Sequence, residues 1–352
     1  MDLSDKTQLI YYLKSNGLYT KHALGQNFLV DREVLEKIIE TAEIKPDDLV
    51  IEVGPGVGTL TVELVKQAGK VVAVEMDDIL AQLMSKSEFL MSNEISNDIN
   101  SKLEIDELGF RHFIRNLTLG FRHSVLEVVN ADILKLNISE LTKNHPAYKV
   151  VANIPYYITS KILQLFLTLE NKPESITVLV QKEVAERICA KSGQMSVLAI
   201  SVQAYGEPEI IQVVKKESFF PAPKVDSAIL RIAKMHPFGF TVTNSPLQRG
   251  GDRGGENKIQ TLNVTPPPTP PQRGGECSED DRPALEKDFF RAVHIGFASK
   301  RKTLANNLSA GYHIDKTTAS AIIKSIGLSE NVRAQELSLE DWAKLTKMIT
   351  LN

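Results

Sequence analysis

The sequence predicts an α/β fold, a mostly parallel doubly wound sheet followed by a small all-helical domain. Three observations carry this. A β-branched run, Val50-Ile51-Glu52-Val53, ends in Gly54-Pro55-Gly56-Val57-Gly58 and is followed by helical periodicity, the pattern of a parallel strand turning tightly into a helix beside a ligand. Further short apolar runs alternate with helical patterns as far as Lys234. From Pro283 onward the apolar spacing is helical only, through Leu285, Phe289, Val293 and Phe297.

In chain order, residues 7–15 have helical periodicity and residues 19–29 are polar and irregular. Asp31 is placed to cap a helix reaching about Glu43, and Pro46-Asp47-Asp48 forms a turn before a first strand over 49–53. A helix over 59–68 stops at Gly69-Lys70, and a second buried strand over 71–74 ends at Glu75. Two strands joined by one helix make a βαβ unit, which puts a ligand at the strands' C-terminal edge. Residues 125–129, 149–152 and 176–180 are the remaining clear strand candidates.

Two stretches break the rhythm. Over 86–124 the chain is polar, and Leu108-Gly109-Phe110-Arg111-His112 recurs as Leu119-Gly120-Phe121-Arg122-His123, a local duplication in a surface insertion or a dedicated RNA contact. Over 236–282 it is rich in Pro, Gly and Arg, with Gln-Arg-Gly-Gly at Gln248 and again at Gln272. That composition cannot bury enough apolar surface to fold and predicts a disordered insertion, with an RGG-like RNA contact as the sharper alternative. The expected organisation is thus a ligand-binding domain over 1–235, the insertion over 236–282, and a helical domain over 283–352.

At 352 residues and 42% hydrophobic, the chain has material for a sizeable core. A net charge of −3 argues against a protein coated in nucleic acid, although a local basic face is enough for binding. Cys189 and Cys277 stand without a CxxC or a histidine cluster, so no disulfide framework and no metal site is expected, and Cys189 reads as a small helix-core residue. The opening Met1-Asp2-Leu3-Ser4-Asp5 lacks the features of a signal peptide, and runs such as 175–180 are too short to cross a bilayer. A cytoplasmic location without membrane association is expected.

The glycine run is GxGxG and alone names only a nucleotide-like ligand, NAD, flavin and others included. Glu75, at the tip of the second strand, is placed to accept both hydroxyls of a ribose. Asp132, beyond the third strand candidate, is either a helix cap or an acceptor for an adenine amino group. Asn153-Ile154-Pro155-Tyr156 is more specific. The Asn153 amide oxygen and the Ile154 carbonyl can each accept one N–H of an exocyclic amine, holding its lone pair out of the ring plane, while the Tyr156 ring stacks on a flipped base. Lys300-Arg301-Lys302, placed at the opening of a helix, is either a solvated face or a phosphate contact.

Gln26-Asn27-Phe28-Leu29, the run from Glu52 to Thr61, Asn130-Ala131-Asp132, Asn153-Ile154-Pro155-Tyr156-Tyr157, Phe219-Phe220-Pro221-Ala222-Pro223-Lys224-Val225-Asp226-Ser227 and Lys302-Thr303-Leu304-Ala305-Asn306-Asn307-Leu308 together resemble the ribosomal RNA adenine N6-dimethyltransferases, most closely the small-subunit, kasugamycin-resistance type. The resemblance implies a Rossmann-like S-adenosylmethionine-dependent methyltransferase fold with a mostly parallel seven-stranded sheet. It implies S-adenosylmethionine held by Asn27, Leu29, Gly54, Glu75, Asp132 and Asn153, with Asn153 and Tyr156 facing the target adenine. It gives Phe219 a place opposite that tyrosine against the base, where core packing is the plainer reading, and assigns Lys300, Arg301 and Lys302 to RNA. The implied substrate is a pair of adjacent adenosines near the 3′ end of 16S rRNA in the assembling small ribosomal subunit, and the chain is expected to act as a monomer. Residues 20–24 depart from the basic stretch such proteins carry there, which predicts weaker RNA affinity from that end. A large-subunit adenine methyltransferase, a non-catalytic RNA- or DNA-binding relative and a NAD dehydrogenase are the rival readings.

Overall fold

The computed structural model describes residues 2–18, 26–92, 125–145, 147–238 and 282–350, with the backbone alone for 86–92 and 282–283. The repeated motif over 108–123, the Pro-rich run, both Gln-Arg-Gly-Gly copies, Cys277 and residues 20–24 lie outside the described residues.

Nine strands are described: β1 (Phe28–Leu29), β2 (Leu49–Val53), β3 (Lys70–Glu75), β4 (Val125–Asn130), β5 (Tyr148–Asn153), β6 (Ser175–Gln181), β7 (Glu207–Val214), β8 (Phe219–Phe220) and β9 (Ser227–Ala233). Seven form one sheet in the order β4-β3-β2-β5-β6-β9-β7, parallel except for β9, which runs antiparallel to both of its neighbours. Both faces are covered, so the central strands read as unbroken apolar runs. Val50, Val71 and Val151 pack on one side with Leu35, Ile38 and Leu64, and the alternate residues Ile51, Val72 and Val150 pack on the other with Ile162, Leu163 and Phe166.

From β2 the chain moves outward to β3 and β4, then returns to the opposite flank of β2 with β5. This reversal creates the crevice between β2 and β5 in which ligands of open α/β sheets bind. The glycine run leaves the C-terminal end of β2 and Asn153 ends β5, so both motifs meet there. The N-terminal helix Lys6–Ser15 closes one side: Leu9, Tyr12 and Leu13 pack with Phe28, Val57 and Leu80.

Several expected boundaries move. The helix after the glycines is Thr59–Val65, shorter than expected, whereas Asp78–Ser92 runs past residue 86 where the polar insertion was expected to begin. Cys189 is not inside a helix; it follows Lys182–Ile188 as its C-cap and is half-buried. The expected break at residue 236 falls too early, because Phe238 is buried against Phe289 and Phe290, with ring centroids 5.2 and 5.8 Å away. Helices Arg282–Gly296, Leu304–Tyr312, Lys316–Ser325 and Leu339–Thr350 form the helical part. It shares one continuous hydrophobic core with the sheet, containing both Val150 and Trp342. Among the described residues no helix is long and apolar enough to cross a membrane, and no cluster of side chains is arranged to hold a metal ion.

Candidate active site

The crevice encloses a cavity of about 310 Å³, a volume typical of small-molecule sites. Its floor is the glycine turn. Gly54, Gly56 and Gly58 have φ of 67°, 63° and 87°, which side-chain-bearing residues rarely adopt. A Cβ at Gly56 would also lie 3.0 Å from the edge of the Phe28 ring, which would have to shift to admit it. The turn is held by Gly54 N–H donating to Val74 O at 2.9 Å and Gly58 N–H donating to Pro55 O at 3.0 Å.

Two carboxylates are fixed around this floor. Glu75 Oε2 accepts Gly56 N–H at 3.0 Å and Oε1 accepts Asp77 N–H at 2.8 Å, so its side chain both locks the turn and faces the cavity with lone pairs to spare. Burial raises its pKa against those two N–H bonds. Glu52, 1% exposed, also lines the cavity, and burial above all, then the charge of Glu75, pushes it up to about 8 despite Thr61 beside it. Its Oε2 and the hydroxyls of Thr59 and Thr61 are buried without a hydrogen-bond partner. Such atoms are costly to bury unmatched, and here two of the three residues, Glu52 and Thr59, border the cavity.

Asp132 follows β4, the strand next to the one that ends in Glu75. Its Oδ1 accepts Leu134 N–H at 3.0 Å and caps the short turn Ile133–Lys135, so the capping reading is correct, and the residue lines the cavity as well. Met76, Ile133 and Leu134 add an apolar wall.

Asn153 is oriented by one contact: its Nδ2 donates to Asn27 O at 2.9 Å, across 126 residues of sequence. That bond uses one of the two Nδ2 hydrogens and fixes which way the amide points, leaving Oδ1 as its acceptor end. Pro155, at φ −55°, leads into the turn Tyr156–Ile158. The Tyr156 hydroxyl and Ser227 Oγ are hydrogen-bonded at 2.7 Å, and burial raises the phenol's pKa against that bond, so Tyr156 offers a neutral ring and no base.

The cavity thus gathers Asn27, Leu29, Gly54, Glu75, Asp132, Asn153 and Tyr156 as expected. Phe219 does not join them. It is 2% exposed and packs with Leu29, Val34, Leu35 and Ile229, so the expectation that its ring faces the target base is corrected: here it is a core residue. The cause is the β1–β8 pairing, which sets Phe219 opposite Leu29 and sends Phe220 to the other face. Lys300, Arg301 and Lys302 are exposed in a turn before Leu304–Tyr312, not at a helix opening. Buried Asn307 pins that turn, donating to Gly296 O at 2.6 Å and Ser299 O at 3.1 Å. Sequence reasoning missed Met76 and Tyr157, which border the cavity and are 45% and 58% exposed. Their places just past a strand end and beside Tyr156 were the available signal.

A crevice at the sheet's switch point, a glycine floor in left-handed backbone and three carboxylates on a cavity that no cationic side chain lines among the described residues define a site for a cationic adenosyl cofactor, in a Rossmann-like methyltransferase fold. The chain belongs to the ribosomal RNA adenine dimethylase family, whose model matches residues 17–100 and 98–242, and it is an S-adenosylmethionine-dependent methyltransferase. It is similar to proteins named ribosomal RNA small subunit methyltransferase A: 34% identical to that of Dehalococcoides mccartyi over 95% of this chain and 90% of that protein. With the Clostridium botulinum protein it shares 34% identity over 93% of this chain and 92% of that one. Among solved structures, a 23S rRNA methyltransferase (TM-score 0.57, 24% identity, 92% of this chain and all 100% of that one) has the same fold. So does a dimethyladenosine transferase from Plasmodium falciparum (TM-score 0.57, 22% identity, 90% and 95% covered).

Proposed function

We propose that the chain dimethylates N6 of two adjacent adenosines near the 3′ end of 16S rRNA, in the assembling small subunit, as a cytoplasmic monomer. The observation that carries this is the pinned Asn153 amide, whose acceptor end remains for an exocyclic amine beside the Ile154-Pro155-Tyr156 turn. The names of the relatives support the small-subunit target.

S-adenosylmethionine, when bound, supplies an electrophilic methyl group. Glu75 and Asp132 would hold its adenosyl part, and Asn27, Leu29 and the Gly54 turn the remainder. The chain's own work is positional. Asn153 Oδ1 and the Ile154 carbonyl accept the two N–H groups of the adenine amine, turning its lone pair from the ring toward the cavity. Tyr156, fixed by Ser227, stacks on the flipped base. No strong base is required, because the amine nitrogen loses its proton after the methyl has moved. Lys300, Arg301 and Lys302 bind RNA phosphate.

Asn153→Ala tests the assignment. Methyl transfer to undermethylated small subunits should fall at least about a hundredfold with the fold intact by circular dichroism, because the amine is no longer oriented. Full activity in that variant would refute the role.

A further inference from the structure

The cavity wall holds three carboxylates, Glu52, Glu75 and Asp132, and among the described residues no lysine, arginine or histidine. The three are not supported alike. Glu75 accepts two backbone N–H groups, and Asp132 accepts Leu134 N–H with Lys135 Nζ 3.7 Å from its Oδ2. Glu52 has neither kind of support.

Apart from the Thr61 hydroxyl, the groups recorded around Glu52 are apolar or negative. Across the sheet its register partners are Ala73 on β3 and Val151 on β5. From the helix after the glycine turn it meets the Thr61 hydroxyl, and the charged group acting on it is Glu75. Its Oε2 lacks a hydrogen-bond partner. Burial and the neighbouring carboxylate lift its pKa to about 8, so in the free protein at neutral pH it carries a proton.

We propose that Glu52 lets the pocket read the charge of its cofactor, releasing its proton to solvent when the sulfonium cation of S-adenosylmethionine binds and regaining one when the neutral thioether product, S-adenosylhomocysteine, takes its place. A cation entering a low-dielectric cavity lined with carboxylates stabilises their ionised forms. The product lacks that charge and leaves Glu52 protonated. The two ligands differ by one methyl group in shape, so a charge-dependent group is an effective way to tell them apart. The inference rests on the cofactor and is independent of the RNA target.

Calorimetry on the full chain tests it, titrating S-adenosylmethionine and S-adenosylhomocysteine separately near neutral pH in buffers of different ionisation enthalpy. Wild type should release close to one proton with S-adenosylmethionine and almost none with S-adenosylhomocysteine. Its affinity for the former should rise about tenfold per pH unit and level off near the free-state pKa. Glu52→Gln should abolish the release and flatten the slope. Equal release with both ligands, or release retained in Glu52→Gln, overturns the proposal and points to Glu75 or Asp132. Should Glu52→Gln fail to fold, the wild-type comparison decides: a pH slope common to both ligands overturns the proposal, and a slope for S-adenosylmethionine alone supports it. Absence of binding by either ligand would overturn the pocket itself, a result distinct from binding without proton release.

Discussion

At the scale of residues, Gly56 is the least replaceable floor position because two independent constraints meet there: a left-handed backbone and the Phe28 ring. Gly56→Ala should lower stability by about 1–2 kcal/mol from the backbone term alone and weaken S-adenosylmethionine binding, readable by thermal melts with and without ligand. Glu52 makes a second prediction. Its pKa is about 8 folded against an ordinary 4.5, so the folded state binds more protons between those values. The associated stability is fully present below the ordinary value and is lost as pH rises through the folded one. The unliganded protein should therefore lose melting temperature toward alkaline pH more steeply than Glu52→Gln, and parallel pH profiles would contradict this. The place of Asn153 on the cavity was legible in the sequence because its turn follows a strand end at the sheet's ligand-binding edge. Phe219 was not, since only the strand pairing opposite Leu29 decides which of two adjacent phenylalanines faces inward.

At the scale of elements, β2, β3, β5 and β6 were legible because a sheet covered on both faces needs continuous apolar strands. Helix ends were harder. Asp31 announces its helix by accepting Val34 N–H at 3.2 Å, whereas Gly58 caps Thr59–Val65 without any side-chain bond, so that helix carries no comparable signal. The basic turn at Lys300 to Lys302 depends on a residue seven positions on from its start, Asn307, and no local pattern reveals that. Asn307→Ala removes the side-chain donor to the Gly296 and Ser299 carbonyls, the first buried and the second still accepting Lys302 N–H. A loss of about 1–3 kcal/mol in chemical denaturation is expected, with weakened RNA binding. Replacing Lys300, Arg301 and Lys302 by Ala should leave stability unchanged and reduce the salt dependence of RNA binding. An unaltered salt slope would remove the turn from the RNA interface.

At the scale of the molecule, the two-domain organisation expected from sequence becomes two architectures around one core. Tyr205 donates to Glu286 at 2.5 Å, its ring lies 6.1 Å from that of Phe290, and Met195 N–H reaches Gln335 O at 3.1 Å, so the joint is both apolar and hydrogen-bonded. Sequence separation hid this, because residues 236–282 part the aromatic partners by composition. Phe289→Ala should cost about 3–5 kcal/mol and lower the melting of sheet and helices together in one transition; separate transitions would mean the two parts fold independently. One experiment tests the central claim most directly: transfer of labelled methyl groups from S-adenosylmethionine to undermethylated small and large ribosomal subunits, with the modified bases mapped by primer extension. Label confined to two adjacent adenosines near the 3′ end of 16S rRNA is the predicted result. Label in 23S rRNA, or in neither, would contradict it.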